Sequence, residues 1–145
     1  MKKTASLLVI GFLFVSCSHK ECCTIVDTEV LIMYLNDSGE NLFEIEDGYT
    51  ESNVRVYYNI DGSWKREYQG GGMVEYEDGT YLSVSPSLYI LEDGYSETKI
   101  EFSNSEIDIM RTKISDGHNT YVTEVYYNGE FKWESGTFRS FEVVK

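Results

Sequence analysis

The sequence predicts an all-β domain of antiparallel strands behind a short N-terminal leader that is removed. Three observations predict this. Beyond residue 24, apolar and polar residues alternate in short runs with no sustained helical period. Those runs are broken by Asp47-Gly48, Asp61-Gly62, Asp78-Gly79, Asp93-Gly94, Asp116-Gly117 and Asn128-Gly129. Such pairs adopt the positive φ that tight hairpins need, and six of them between β-rich runs point to antiparallel sheet. The third observation is the start of the chain. Lys2 and Lys3 precede an uncharged apolar run, Ala5 to Val15, which stops at Ser16-Cys17.

That leader has the layout of a secretory signal, and its apolar run is too short to span about 30 Å of hydrocarbon as a helix. A small residue followed by cysteine at the cleavage point resembles a bacterial lipoprotein signal. The resemblance implies cleavage before Cys17, acyl chains on Cys17, and stable anchoring without a membrane span. An ordinary cleaved signal that releases a soluble chain is the competing reading. The chain then divides into signal peptide 1–16, lipidated tether 17–24 and sheet domain 25–145. Cys22 and Cys23 fall in the tether, and no cysteine follows them. They match no metal-ligand spacing and read as tether residues, free, joined to each other, or bridged to another chain.

The strands follow in order. Glu29 to Leu35 is an apolar first strand, closed by Asn36-Asp37-Ser38-Gly39. Val54, Val56 and Tyr58 alternate with polar neighbours, and Trp64 to Tyr68 returns after Asp61-Gly62. Val74 and Tyr76 alternate with Glu75 and Glu77, then Leu82 and Val84 with Tyr81 and Ser83. Ile100 and Phe102 alternate with Lys99 and Glu101. From Glu106 to Ile114 the phase slips, since Ile107 and Ile109 differ in parity from Met110 and Ile114; a bulge near Ile109–Arg111 is expected there. The last runs are Thr120 to Tyr127, Glu130 to Glu134 and Thr137 to Val144. Sheets with one apolar face must bury it against another layer. The expected solution is an immunoglobulin-like or transthyretin-like sandwich, with a small barrel as the alternative.

Composition excludes some functions. Loss of residues 1–16 leaves 10 basic against 25 acidic residues, a net charge of −15. Such a chain repels nucleic-acid phosphates. It is not a disordered acidic tail either, because 12 Tyr, 7 Phe and 2 Trp supply enough apolar surface for a core.

Across Val30 to Lys145 the pattern resembles small lipoproteins of Bacteroidetes-type bacteria. The residues that carry it are Asn36 to Leu42, Val54-Arg55-Val56-Tyr57-Tyr58 ahead of Asp61-Gly62, Ser96 to Ile100, Val125-Tyr126-Tyr127-Asn128-Gly129 and Arg139-Ser140-Phe141. The resemblance implies a β-sandwich lipoprotein of the cell envelope, at the outer membrane, and no activity comes with it. Only Glu21 follows Cys17 as an acid in the tether, so the membrane face stays open.

Candidate chemistry is sparse. The domain's one histidine, His118, sits beside the Asp116-Gly117 turn, and no Ser lies in a nucleophile-elbow motif. It reads as a turn residue, so no enzyme is expected and a small hydrolase ranks last. Glu44 to Gly48 and Glu75 to Gly79 concentrate oxygens at turns, yet neither matches a calcium-loop pattern. No cofactor or metal is expected. Trp64, Tyr68 and Trp133, with Tyr57, are candidate ligand-binding residues, because rings with a polar edge suit a wet sugar-binding surface. Core packing is the preferred reading for them: Trp133 shares parity with Phe131, and Trp64 with Tyr68. The expected role is therefore non-enzymatic binding or structural, with a protein or glycan partner, a membrane anchor and no nucleic acid; the alternative is a glycan- or cation-binding accessory module that uses exposed Tyr and Trp rings and the acidic turns.

Overall fold

The structure, a computed structural model, describes residues 24–103, 106–115 and 117–145. The leader, Cys17, Cys22, Cys23 and Asp116 lie outside them.

Among the described residues, eleven strands form two sheets: β1 Val26–Asp27, β2 Val30–Leu35, β3 Arg55–Ile60, β4 Ser63–Glu67, β5 Gly71–Tyr76, β6 Gly79–Val84, β7 Ser96–Ser103, β8 Glu106–Ile114, β9 Thr120–Tyr127, β10 Glu130–Glu134 and β11 Ser140–Val144. The larger sheet has the order β1-β9-β8-β7-β3-β4, and β10 also pairs with β9. The smaller sheet has the order β11-β2-β6-β5. Most neighbours are antiparallel. The exceptions are β1 with β9 and β11 with β2, each bringing together segments far apart in sequence.

The hairpins follow the turn residues. Asp61 and Gly62 have φ of 51° and 75°, Asn128 and Gly129 of 50° and 84°, and each pair forms a two-residue loop, β3–β4 and β9–β10. The β5–β6 loop is offset by one residue: Glu77 and Asp78 make the turn while Gly79 opens β6 at φ 141°. Gly48 has another role. A Cβ there would stand 1.9 Å from the Leu42 carbonyl oxygen, so the β2–β3 connection closes only over glycine.

The core lies between the sheets. Val30, Ile32 and Tyr34 of β2 and Leu82 and Val84 of β6 meet Val56, Ile100, Phe102, Met110, Val122, Val125, Tyr127 and Trp133 of the larger sheet. Tyr34 and Tyr127 join the sheets directly, hydroxyl to hydroxyl at 2.6 Å. The outer face of the smaller sheet is apolar as well. Leu31, Met33 and Tyr81 form a second buried cluster. Tyr76 stands edge-on to both Tyr81 (5.6 Å) and Phe138 (6.0 Å), so Val74 and Tyr76 occupy the outer side of β5.

Two expectations from strand parity are corrected. There is no bulge at Ile109–Arg111. β8 keeps one phase, with Asp108, Met110 and Thr112 inward and Ile107 and Ile109 outward, and its register shifts against β9 at Lys113/Ile114. Inward polar residues are tolerated because each is bonded: Thr112 to the Ser96 hydroxyl at 2.6 Å, and Asp108 to Tyr127 and Asn128 at 2.7 Å each. In β10 the register shifts between Phe131 and Trp133, so the two do not share an environment. Trp133 is buried and Phe131 is 52% exposed.

Candidate functional site

Of the sequence candidates, Trp133 is the one inside the sandwich, 6% exposed, with the Arg139 guanidinium 5.1 Å from its ring. It packs the core and meets no solvent-borne ligand. Trp64 and Tyr68 are different. The preference for core packing fails for both: Trp64 is 38% exposed and Tyr68 is 80% exposed. β4 lies at the edge of the larger sheet, paired with β3 alone.

The hairpin register organises the surface around them. Asp61-Gly62 sets Ile60 opposite Ser63, hence Asn59 opposite Trp64 and Tyr57 opposite Arg66. β7 pairs on the other side of β3 and brings Lys99 opposite Tyr57. The Lys99 ammonium lies 4.0 Å from the centre of the Tyr57 ring and 5.7 Å from that of Trp64. Arg66 lies 4.7 Å from the Tyr68 ring. Each arrangement places a cation on an aromatic face, an attraction of about 0.5–1 kcal/mol where water reaches it.

The band continues across β8 and β9. Arg111 stands 4.8 Å from the Tyr95 ring and binds Asp93. Tyr95 meets Tyr126 edge-on at 5.8 Å, and Tyr126 meets Phe131 at 5.4 Å. Carboxylates hold the cations in place. Glu101 takes Arg55 at 3.3 Å and Lys99 at 3.5 Å, and Glu97 accepts from Asn59 Nδ2 at 2.8 Å. Lys113 donates to Glu124 at 2.9 Å. That hydrogen bond holds Glu124 below the usual carboxylate range and raises Lys113, while Glu124 in turn raises the Tyr95 phenol.

Charge separates this face from the rest of the molecule. The outward side of β4, β3, β7, β8 and β9 carries Arg66, Arg55, Lys99, Arg111 and Lys113 against Glu97, Glu101 and Glu124, with Asp93 bound to Arg111 at its margin. The whole chain has a net charge of −13. A cation-bearing aromatic surface on so acidic a chain requires segregation, and the strand alternation supplies it.

The other candidates do not assemble with this face. His118 is exposed in the β8–β9 connection. Glu44 is occupied locally: its Oε1 accepts from the Thr80 backbone N–H at 2.7 Å and from Asn41 Nδ2 at 3.3 Å. Among the described residues no group of three or more His, Cys, Asp or Glu is arranged to hold a metal ion. A cleft of about 560 Å³ opens between the Asp61-Gly62 turn and residues 89–93. Comparison of the chain with protein-family models, with curated proteins and with solved structures found no match.

Proposed function

We propose that this protein is a lipid-anchored, non-enzymatic binding protein of a bacterial envelope, which presents the outer face of its larger sheet to a glycan. The observation that carries the binding role is the exposed pair Trp64 and Tyr68, with the half-buried Tyr57 between them, interleaved with Lys99 and Arg66. Pyranose rings stack their C–H faces on aromatic side chains, while ammonium and guanidinium groups donate to hydroxyls and to any carboxylate the sugar bears. A flat, solvent-open sheet suits a chain of sugars better than a small molecule, which favours an enclosed pocket. The address rests on the leader, with Ser16-Cys17 closing its apolar run, and on the resemblance to small envelope lipoproteins.

Two measurements test this reading. On a glycan array the wild-type domain is expected to bind a defined set of sugars, and Trp64→Ala is expected to lose that binding with its melting temperature unchanged, because the side chain is not part of the core. An array without hits, or hits indifferent to Trp64→Ala, defeats the glycan role. For the anchor, cells fed a labelled fatty acid are expected to incorporate it into wild type and not into Cys17→Ala. Equal incorporation removes the anchor.

A further inference from the structure

The chain enters the fold at one end of the larger sheet. β1 runs parallel to the start of β9, pairing Val26 with Thr120. At that same end β3 turns into β4, β7 begins and β8 finishes. The connection between β6 and β7, residues 85–95, therefore emerges there too. It contains four consecutive apolar residues, Leu88-Tyr89-Ile90-Leu91. Leu88 and Ile90 are 52% and 43% exposed, and Ile25 and Val26, beside β9, are 58% and 62% exposed.

The exposed loop is pinned. The Ser87 N–H donates to the buried Thr98 hydroxyl at 2.9 Å, the Leu91 N–H to the Tyr95 carbonyl at 2.8 Å, and the Tyr89 hydroxyl binds the Asp61 carboxylate. Three of the neighbouring carboxylates are engaged, Asp61 by Tyr89, Asp93 by Arg111 and Asp27 by Arg139, while Glu92 stands exposed after Leu91. A fixed loop holding aliphatic side chains in water is unrewarded by folding and marks a contact surface. The opposite end is acidic. The β2–β3 connection carries six carboxylates between residues 36 and 54, and the β5–β6 turn adds Glu77 and Asp78.

We propose that this leading end is a membrane-contacting surface: Leu88, Ile90, Ile25 and Val26 rest in the headgroup layer, and the acidic end points away. The proposal builds on Cys17 being acylated. Eight residues lead from Cys17 to Ile25, a reach of about 28 Å at full extension. β8 alone, with nine residues, is about 30 Å long. The acidic end would therefore touch the bilayer only with the tether drawn taut alongside the sheet, whereas the leading end touches it with slack to spare. An anionic lipid surface repels the acidic end and reinforces the same orientation.

The test uses the full lipidated chain in vesicles of phosphatidylethanolamine and phosphatidylglycerol doped with a brominated phosphatidylcholine. In a Cys22→Ser/Cys23→Ser background, one fluorophore is attached at Ile90→Cys or at Ser38→Cys. The label at 90 is expected to lose emission to the brominated lipid, the label at 38 to keep it, and Leu88→Asp to restore emission at 90. Equal emission at both positions, in chains that float with the vesicles, overturns the seating and leaves the anchor standing. Chains that fail to float, with Cys17→Ala behaving alike, overturn the anchor and the seating together. Emission lost at 90 in detergent without brominated lipid assigns the loop to a second copy of the chain and overturns the proposal.

Discussion

Asp108→Ala is expected to destabilise the domain by about 3–5 kcal/mol, the cost of removing one partner from a buried ion pair. Asp108 is almost fully buried and accepts three hydrogen bonds, from the Tyr127 hydroxyl, from Asn128 Nδ2 and from the Lys145 ammonium. Lys145 is drawn inward rather than left in solvent. Its backbone N–H closes onto the Leu35 carbonyl at 2.8 Å, and its ammonium lies 5.3 Å from the Phe102 ring and 3.1 Å from Glu106. The network extends to both sheets through the Tyr34–Tyr127 contact, and Asn128 ties it to the β9–β10 turn. Alanine takes the acceptor from three donors at once, the buried Tyr127 hydroxyl, the half-buried Lys145 ammonium and the exposed Asn128 amide. Because Lys145 keeps Glu106, the loss belongs at the lower part of the range. Lys145→Met leaves the carboxylate buried with two neutral donors and costs a comparable amount. The double variant loses less than the two single losses added, since each single loss includes the other's stranded charge. Urea unfolding of the four proteins checks this, and a loss below about 1 kcal/mol for Asp108→Ala would show a solvated, weak pair instead.

The same residues mark where sequence reading stops. Alternation of apolar side chains located the β-strands, and Asp61-Gly62 and Asn128-Gly129 located two hairpins, because both are local consequences of backbone geometry, whereas Asp47-Gly48 and Asp93-Gly94 lie in connections that cross between the sheets. In β8 the inward positions are Asp108, Met110 and Thr112, two of them polar, while Ile107 and Ile109 face out. Apolar parity therefore pointed to a bulge that does not form. The partners that make Asp108 tolerable, Asn128 and Lys145, are 20 and 37 residues away, and no local pattern announces them. Trp133 packs the core as expected, but Phe131 departs for the mirror-image reason: a register shift separates the two, and two-residue periodicity assumes none.

The candidate binding face was half legible. A two-residue Asp61-Gly62 loop fixes Trp64 opposite Asn59 and Arg66 opposite Tyr57, which sequence alone permits one to write down. Whether that hairpin faces solvent depends on its place in the sheet. β4 is an edge strand, so its aromatic side escapes the core that large rings usually fill. Lys99 joins the face through pairing of β3 with β7 across some forty residues of chain, a long-range choice that turn chemistry does not make. The double burial of β2 is of the same kind. Its unbroken Val30 to Leu35 run fits a strand buried on both faces, but the partner of Leu31 and Met33 on the outer side, Tyr81, comes from β6, some fifty residues on.

The buried phenols set an alkaline limit, and cooperative unfolding is expected between about pH 11 and 12.5. Burial raises Tyr34 and Tyr127 far above the ordinary phenol range, and it raises Tyr49 too, helped by its hydrogen bond to Glu106. Burial also pushes Tyr58 and Tyr81 up to about 12. In the unfolded chain each phenol ionises near 10. Below that value both states hold the proton, so the contribution of these groups to stability is complete. As pH climbs past 10 the unfolded chain alone releases protons, its free energy falls, and stability drains away until the folded values are reached. Each phenol held fully protonated in the fold then costs about 1.4 kcal/mol per pH unit. Tyr34 and Tyr127 together make that roughly 2.7 kcal/mol per unit, and a domain of ordinary stability holds about 5–15 kcal/mol in all. Two units above 10 therefore consume much of the margin even before Tyr49, Tyr58 and Tyr81 add their smaller, partly screened shares. The signature is a phenolate absorbance step that coincides with loss of the sheet circular-dichroism signal. Tyr127→Phe is expected to flatten the pH slope even as it lowers stability at neutral pH, because the bond to Asp108 goes with the hydroxyl. A smooth phenolate titration centred near 10 with the sheet signal intact would mean that the hydroxyls between the two sheets are open to water.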